Sequence, residues 1–383
     1  MNLYEFEGKK LFEKYKIKIP KGIVVRRGDD YGKLYNDLDL ANAVVKAQVL
    51  CGKRGKNNAI RFCSSAGEIE KACDDLFKMK LRNQHVSSII IEERIDIIEE
   101  HYLSITYDTS KKQPILVYSR NGGINIEDVA EDKIEKHLLD VRSEQLDIDV
   151  PLAQELWNCF LKEDARLVEI NPLVKTSQGQ WIATDAKVAL DDDAGFRHEH
   201  RKNFEPRTMM GRIPTDREKA VAGIDQGDDY YRGTAGKYIE MDGDIAILFS
   251  GGGASIANMD ALIKTGLKPA NYTEYSGNPP REKVRRLTEI VLSKPNLRGL
   301  WIAGGVANFT DVAETFQGII DALDQIKPNY PIVVRRAGPN EQIGMELMKQ
   351  CAKRNNLSMK LFGKETSMSE TAKVLADMIN FKN

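Results

Sequence analysis

Apolar and polar positions change their rhythm along this chain. From residue 244 onward, short apolar runs alternate with stretches of helical period. The runs are Ile245–Phe249, Asn271–Tyr275, Gly299–Ile302, Ile332–Arg335 and Met359–Phe362; the helical stretches fall at about 254–265, 281–292, 310–323, 340–354 and 368–379. Five such units predict an open parallel sheet with helices on both faces, an α/β domain. The first part reads as more mixed. A short helix is expected over 3–15, then strands at Ile23–Val25, Ala43–Val49 and Ile60–Cys63. The capping box Ser65-Ala-Gly-Glu68 opens a helix over about 66–79. Strand patterns follow at Ser88–Glu92, His101–Tyr107 and Pro114–Tyr118, and a helix around 151–162. Arg166–Ile170 is expected to pair with Trp181–Asp185 across a turn at Ser177-Gln-Gly179. Between 190 and 242 charged residues and glycines dominate, which marks a connecting segment and predicts domains 1–235 and 236–383.

Composition adds exclusions more than assignments. At 383 residues and 42% hydrophobic content, each domain can build a core. Fifty-six basic against 57 acidic side chains leave a formal charge of -1, so nothing favours nucleic acid or an anionic membrane as partner. No apolar run reaches the roughly 18 residues of a membrane span. Five cysteines without zinc or C-x-x-C spacing, and a charged start unlike a signal peptide, lead to the expectation of a reducing, cytoplasmic location.

Three features of the first part suit phosphate chemistry. Lys46 lies inside an apolar strand, where an unpaired charge is costly; an anionic ligand or a salt bridge would explain it. Gly52-Lys-Arg-Gly-Lys56 is either a basic loop that holds polyphosphate or a solvated turn. Asn171 and Asp185, brought together by the hairpin, offer oxygen ligands for magnesium beside a triphosphate, with Glu169 and Lys187 next to them. No Walker A motif is present, and Gly251-Gly-Gly253 does not complete G-x-G-x-x-G, which disfavours a nicotinamide enzyme.

These pieces in this order resemble the ATP-grasp half of acyl-CoA synthetases of the succinyl-CoA synthetase β type. The resemblance is carried by "MNLYEFEGKKLFEKY", "VVKAQV", "GKRGK", "IIIEERIDIIEEHYL", "GGINIEDVA" and "VEINPLVKTSQGQWIATDAKV". It implies an ATP-grasp domain followed by a flavodoxin-like five-stranded parallel βα domain. By position, Lys46, Arg54 and Gly55 would contact ATP phosphates, Glu92, Glu93 and Ile95 would border adenine, and Glu100 the ribose. Asn171 and Asp185 would hold Mg2+, and Glu169 would position a phosphohistidine delivered by a partner. Asn57-Asn58 stands where the family usually has glycine, a departure in the phosphate loop.

The chain's own histidines, His85, His101, His137, His198 and His200, lie in no glycine-rich loop at a helix start. His198-x-His200 is read as a solvated loop, with metal binding as the alternative. The resemblance supplies an α-type partner subunit that carries the phosphohistidine and most of the CoA site, hence a hetero-oligomer.

The second half is similar to ATP-citrate lyases and citryl-CoA synthetases in "GGGASIANMD", "NYTEYSGNPP", "GGVANFTDVAETFQGI", "VVRRAGPNEQIGMELM" and "FGKETSM". A tricarboxylate needs donors. Backbone N–H groups at a helix start near Thr310, the side chains of Asn308 and Thr310, and a guanidinium at Arg335 or Arg336 would provide them. By position, Arg336 is the favoured ligand contact, with Gly252, Gly253, Ser276, Gly277, Ala307 and Phe309 completing the pocket. The resemblance therefore implies a citrate–CoA ligase subunit of the ATP-citrate lyase type, whose partner is fused to a citrate-synthase-like lyase module. A citryl-CoA synthetase subunit is the alternative, followed by a succinyl- or malyl-CoA synthetase subunit and, last, a citrate- or nucleotide-sensing subunit.

Overall fold

The computed structural model describes residues 1–50, 54–55, 57–81, 84–204, 207–208, 212–226 and 231–380. The chain forms two compact units, Met1–Ile213 and Pro214–Asn383. The segment 214–235, placed by the sequence pattern with the first domain, contributes Val221, Ile224 and Ala235 to the second unit's core.

Among the described residues the first unit holds two large sheets and a two-stranded one, Lys80–Leu81 with Gln84–His85. One large sheet is four-stranded and antiparallel, in the order Gly22–Arg26, Ser88–Glu93, Ala43–Gln48, Ile60–Cys63. Helices Tyr31–Leu38 and Ala66–Lys78 cover it, with Val25, Val45, Ala47, Ile69, Leu76, Ile89 and Ile91 in its core. Helix 66–78 starts as its sequence dictates, because the Ser65 hydroxyl accepts from the Glu68 N–H. Helix 31–38, which the pattern did not announce, is started by the Asp30 carboxylate accepting from Lys33 N.

The other large sheet is centred on Ala165–Thr176 and Ile97–Asp108 and continues through Gln113–Ser119 to Glu135–Leu138. Trp157 and Phe160 of helix Ala153–Lys162 anchor its core. The expected pairing of Arg166–Ile170 with Trp181–Asp185 does not occur. Leu173–Lys175 pairs with Trp181–Ala183, and Ala165–Glu169 pairs with a further strand, Lys187–Leu190. The turn at 177–179 is short, so it closes the hairpin on the strand's end and leaves the start free for the returning chain.

The second unit is a six-stranded sheet in the order Thr234–Glu240, Asn271–Ser276, Ile245–Ser250, Gly299–Val306, Ile332–Ala337, Met359–Phe362. The last five are the expected parallel strands. Thr234–Glu240 is an added antiparallel edge. Five helices alternate with the parallel strands: Gly252–Lys264, Arg281–Leu292, Val312–Ile326, Glu341–Arg354 and Met368–Asn380. One face of the sheet packs Leu248, Ile302, Val334 and Phe316; the other packs Phe249, Trp301, Val333 and Leu375. Alternation along the strands makes both faces apolar, as two layers of helices require.

Candidate functional site

In the first unit a cleft of about 1500 Å³ is lined by Lys46, Arg54, Gly55, Glu92, Glu93, Ile95, Tyr102, Glu169, Asn171 and Asp185 among others. Strand period explains Lys46. Val45 and Ala47 point into the core, so Lys46 and Gln48 point to the opposite side. There Lys46 meets the carboxylates of Glu5 (3.2 Å) and Glu92 and donates to the Thr184 carbonyl at 2.6 Å. Arg54 donates to Glu5 and, at 2.8 Å, to Asp185. Lys9 closes the network on Glu5 at 2.7 Å and Glu92 at 2.5 Å. The lysine in the strand is thus salt-bridged and also faces the cleft.

Burial disfavours the Glu5 carboxylate, yet Arg54, Lys46 and Lys9 around it hold its pKa well below the usual carboxylate range. Burial likewise works against the Lys46 ammonium, and Glu5, Glu92 and Asp185 more than offset it. Both cations of the cleft wall therefore stay charged, which phosphate binding demands.

Asn171 and Asp185 line the same cleft. Asp185 accepts from Arg54 and from the Ala186 N–H through Oδ1 and is about a third exposed. The Asn171 amide is committed to the neighbouring loop, its Oδ1 accepting from Gly123 N at 2.8 Å and its Nδ2 donating to the Ile124 carbonyl at 2.9 Å. One lone pair of Asn171 Oδ1 and the Asp185 carboxylate remain, and hard oxygen donors of this kind fit Mg2+. Glu169 accepts from the Tyr102 hydroxyl at 3.1 Å and lies 3.5 Å from Lys187. Glu100 stands apart from these residues. It is exposed, outside the cleft lining, and beside Gly123. Lys53 and Lys56 of the basic loop lie outside the described residues.

Sequence reasoning missed Glu5, Lys9 and Tyr102. The i, i+4 spacing of Glu5 and Lys9 on the first helix was the available signal for the first two. It also underrated the histidine pair. His198 Nε2 is 2.6 Å from Asp164 and His200 Nε2 is 2.9 Å from the buried Glu163, so these rings pin their segment rather than float in solvent. Lys14 and Arg197 already bind the same two carboxylates, which leaves little electrostatic room for a metal ion there. Among the described residues, no histidine lines the cleft.

In the second unit the arginine pair divides as alternation predicts. Arg335 lies on the face of Val333 and donates to the carbonyls of Gly304 (2.7 Å) and Thr366 (3.0 Å). Arg336 lies on the opposite face with Val334 and donates to the Gly305 carbonyl at 3.0 Å. Its side chain is buried, and its Nε has no hydrogen-bond partner. Among the described residues no carboxylate forms a salt bridge with Arg336. A buried guanidinium without a counter-charge is costly unless an anion completes it.

Gly304 makes room for this group, since a Cβ there would lie 2.5 Å from Arg336 Nη1 and 2.9 Å from Ser250 Cβ. Gly305 has no neighbour within 4 Å of its Cβ position. Ala307, Asn308 and Phe309 follow, with Asn308 and Phe309 exposed and Thr310 buried. The helix expected to start at Thr310 starts at Val312. Asp311 is its N-cap and accepts from Glu314 N at 3.0 Å. A resident carboxylate therefore already occupies that helix end. Helix 252–264 differs, because its N-cap is Gly251 at φ 94° and no side chain caps it. The N–H groups around Gly252 and Gly253 are the better anion donors. Ser276 ends the adjacent strand and Gly277 follows it, with Ser276 Oγ lying 3.3 Å from Thr234 Oγ1 across the edge pair.

Comparisons with known proteins agree with this division. Residues 2–149 match the ATP-grasp domain family, and residues 213–377 match the family described as ATP citrate lyase citrate-binding. The succinate–CoA ligase (ADP-forming) β subunit of Methanocaldococcus jannaschii is 32% identical, over 99% of this chain and 100% of its own length. That of Staphylothermus marinus is 33% identical, over 91% of this chain and 93% of its own. An ATP citrate lyase from Methanothrix soehngenii, solved with citrate and coenzyme A, superposes with a TM-score of 0.80 at 25% identity, covering 98% of this chain and 99% of that one. With a cation-lined cleft in its ATP-grasp unit and a βα unit that matches the citrate-binding family, the chain belongs to the family of the succinate–CoA ligase β subunits, which it matches over 99% of its length.

Proposed function

We propose that this chain is the nucleotide- and citrate-binding subunit of an ATP-dependent citrate–CoA ligase of the ATP citrate lyase type. The observation that carries the choice of acid is Arg336, a buried guanidinium with an unpartnered Nε beside Gly304 and Gly305. A carboxylate seated there would take bidentate bonds from Arg336. The open N-terminus of helix 252–264 and the exposed amide of Asn308 supply donors for further carboxylates.

In the first unit Lys46 and Arg54 would hold the ATP phosphates, with Mg2+ on Asp185 and Asn171 to neutralise charge during transfer. The γ-phosphoryl would pass to a histidine of an α-type partner, with Glu169, held by Tyr102, placed to hydrogen-bond the imidazole. Transfer from that histidine to a citrate carboxylate gives an acyl phosphate. Attack by the CoA thiolate then forms the thioester and releases phosphate. Cleavage to acetyl-CoA and oxaloacetate would belong to a lyase module on the partner, in a cytoplasmic hetero-oligomer. Succinate is the second reading, favoured by the names of the relatives.

The test is reconstitution with the α-type partner, ATP, Mg2+ and CoA, and chromatographic detection of thioesters. Citryl-CoA, or acetyl-CoA with oxaloacetate, from citrate but no succinyl-CoA from succinate is the expected result. Succinyl-CoA alone would establish the second reading.

A further inference from the structure

Among the described residues, the inner network of the first unit's cleft carries as many fixed anions as cations. Lys9, Lys46 and Arg54 are matched by Glu5, Glu92 and Asp185. Glu92 meets Lys9 and Lys46, and Asp185 meets Arg54, whereas Glu5 meets all three cations. Its side chain is 2% exposed, and Gln48 Nε2 also points to it at 3.5 Å. Glu5 arrives from the first helix, far in sequence from Lys46 and Arg54, and takes hydrogen bonds from both cations that would serve the phosphates.

We infer that Glu5 sets the charge selectivity of this cleft, making it a site for metal-complexed nucleotide rather than free nucleotide. The inference rests on reading the cleft as the nucleotide site. A network of zero net charge gives little long-range attraction to an anion. ATP without metal brings about four negative charges to Lys46 and Arg54 and must compete with Glu5 for their N–H groups. ATP with bound Mg2+ brings about half that charge, and a metal held by Asp185 would compete with Arg54 for that carboxylate and so free the guanidinium for phosphate. Glu5 thus penalises the more highly charged form more.

Replacing Glu5 by Gln keeps the side chain's volume and its capacity to accept from Lys9, and adds one positive charge to the network. The electrostatic gain scales with ligand charge, so a tenfold gain for metal-free ATP corresponds to the square root of ten, about threefold, for MgATP. Lys9 touches Glu5 and Glu92, and Lys9→Met shifts the same balance the other way.

The experiment is isothermal titration of the purified full chain with ATP in excess Mg2+ and with ATP in EDTA. Glu5→Gln should tighten metal-free ATP by about tenfold and MgATP by about threefold, and Lys9→Met should weaken them in the same proportion. Circular dichroism checks folding, and if Glu5→Gln does not fold, Lys9→Met decides. Wild-type binding of MgATP with both variants keeping the wild-type ratio of the two affinities overturns the role of Glu5 alone. Wild type that binds neither form overturns the nucleotide reading and this inference with it.

Discussion

Gly304→Ala tests the carboxylate site through geometry rather than by deleting a charge. The new methyl carbon would stand 2.5 Å from Arg336 Nη1 and 2.9 Å from Ser250 Cβ. Real Cβ contacts do not come that close, so the guanidinium must move off the Gly305 carbonyl or the two strands must part. Gly304 and Ser250 are register partners in adjacent parallel strands, so parting them disturbs the sheet. Overpacking of this kind costs about 1–3 kcal/mol. In a unit of this size that lowers the Tm by about 2–4 °C per kcal/mol. Displacing Arg336 also forfeits a charge-assisted bond to the ligand worth about 1.5–3 kcal/mol, or roughly 10- to 150-fold in citrate Kd. The assay is calorimetric titration of citrate, with ATP titrated into the same preparation as an internal control, because the cleft proposed for the nucleotide is lined by residues of the first unit alone. Gly305→Ala, with nothing within 4 Å, is the stability control and should leave Tm unchanged. Citrate bound by Gly304→Ala with wild-type affinity would refute the placement of the acid at Arg336.

The two arginines should separate cleanly. Arg335→Met strands the Gly304 and Thr366 carbonyls and should cost about 2–4 kcal/mol in chemical denaturation. Arg336→Met removes a buried charge that lacks a counter-charge together with one bond to the Gly305 carbonyl, so stability should change by no more than about 1 kcal/mol while citrate binding is lost; a large loss of stability would contradict the absence of a counter-charge at Arg336. Asp185→Asn should weaken MgATP binding more than tenfold in titration while citrate binding stays at the wild-type level. Because the Glu5 carboxyl lies below its ordinary range, its contribution is complete above about pH 4.5 and is lost as pH falls through the depressed folded value. Melting curves of Glu5→Gln should accordingly show a shallower acid decline than wild type, and parallel declines would sink that assignment. Burial pushes the Cys73 thiol up to about 12 and the Cys351 thiol up to about 11, so native protein at pH 8 should leave both unreacted with a disulfide reagent.

Much of the second unit was legible in the sequence because each strand and helix there declares itself locally. The expected strand starts at 245, 271, 299, 332 and 359 are those observed. The division of Arg335 from Arg336 follows from a period of two, which any strand obeys. The edge strand Thr234–Glu240 was missed because its pattern is broken by glycine and lysine, and it is a strand only by pairing with 271–276. In the first unit the chemistry-bearing residues Lys46, Arg54, Asn171 and Asp185 could be picked out by type and order, and they do line one cleft.

What the sequence could not supply was the partner of each charge. Glu5 sits 41 residues from Lys46, and Asp185 sits 131 residues from Arg54. No local period links such positions. The strand pairing of 165–169 with 187–190, and not with 181–185, likewise depended on which chain segment returned to the free end of a long strand. The same holds for the helix ends. A threonine and an aspartate in succession both suit an N-cap, and packing chose Asp311, which fills the helix terminus that Thr310 would have left to a ligand. The sequence determined the kinds of groups available and the faces on which they stand. Tertiary structure decided which charges are already neutralised and which, like Arg336, are buried with no counter-charge among the described residues, because electrostatic balance is a property of distances in space and not of spacing along the chain.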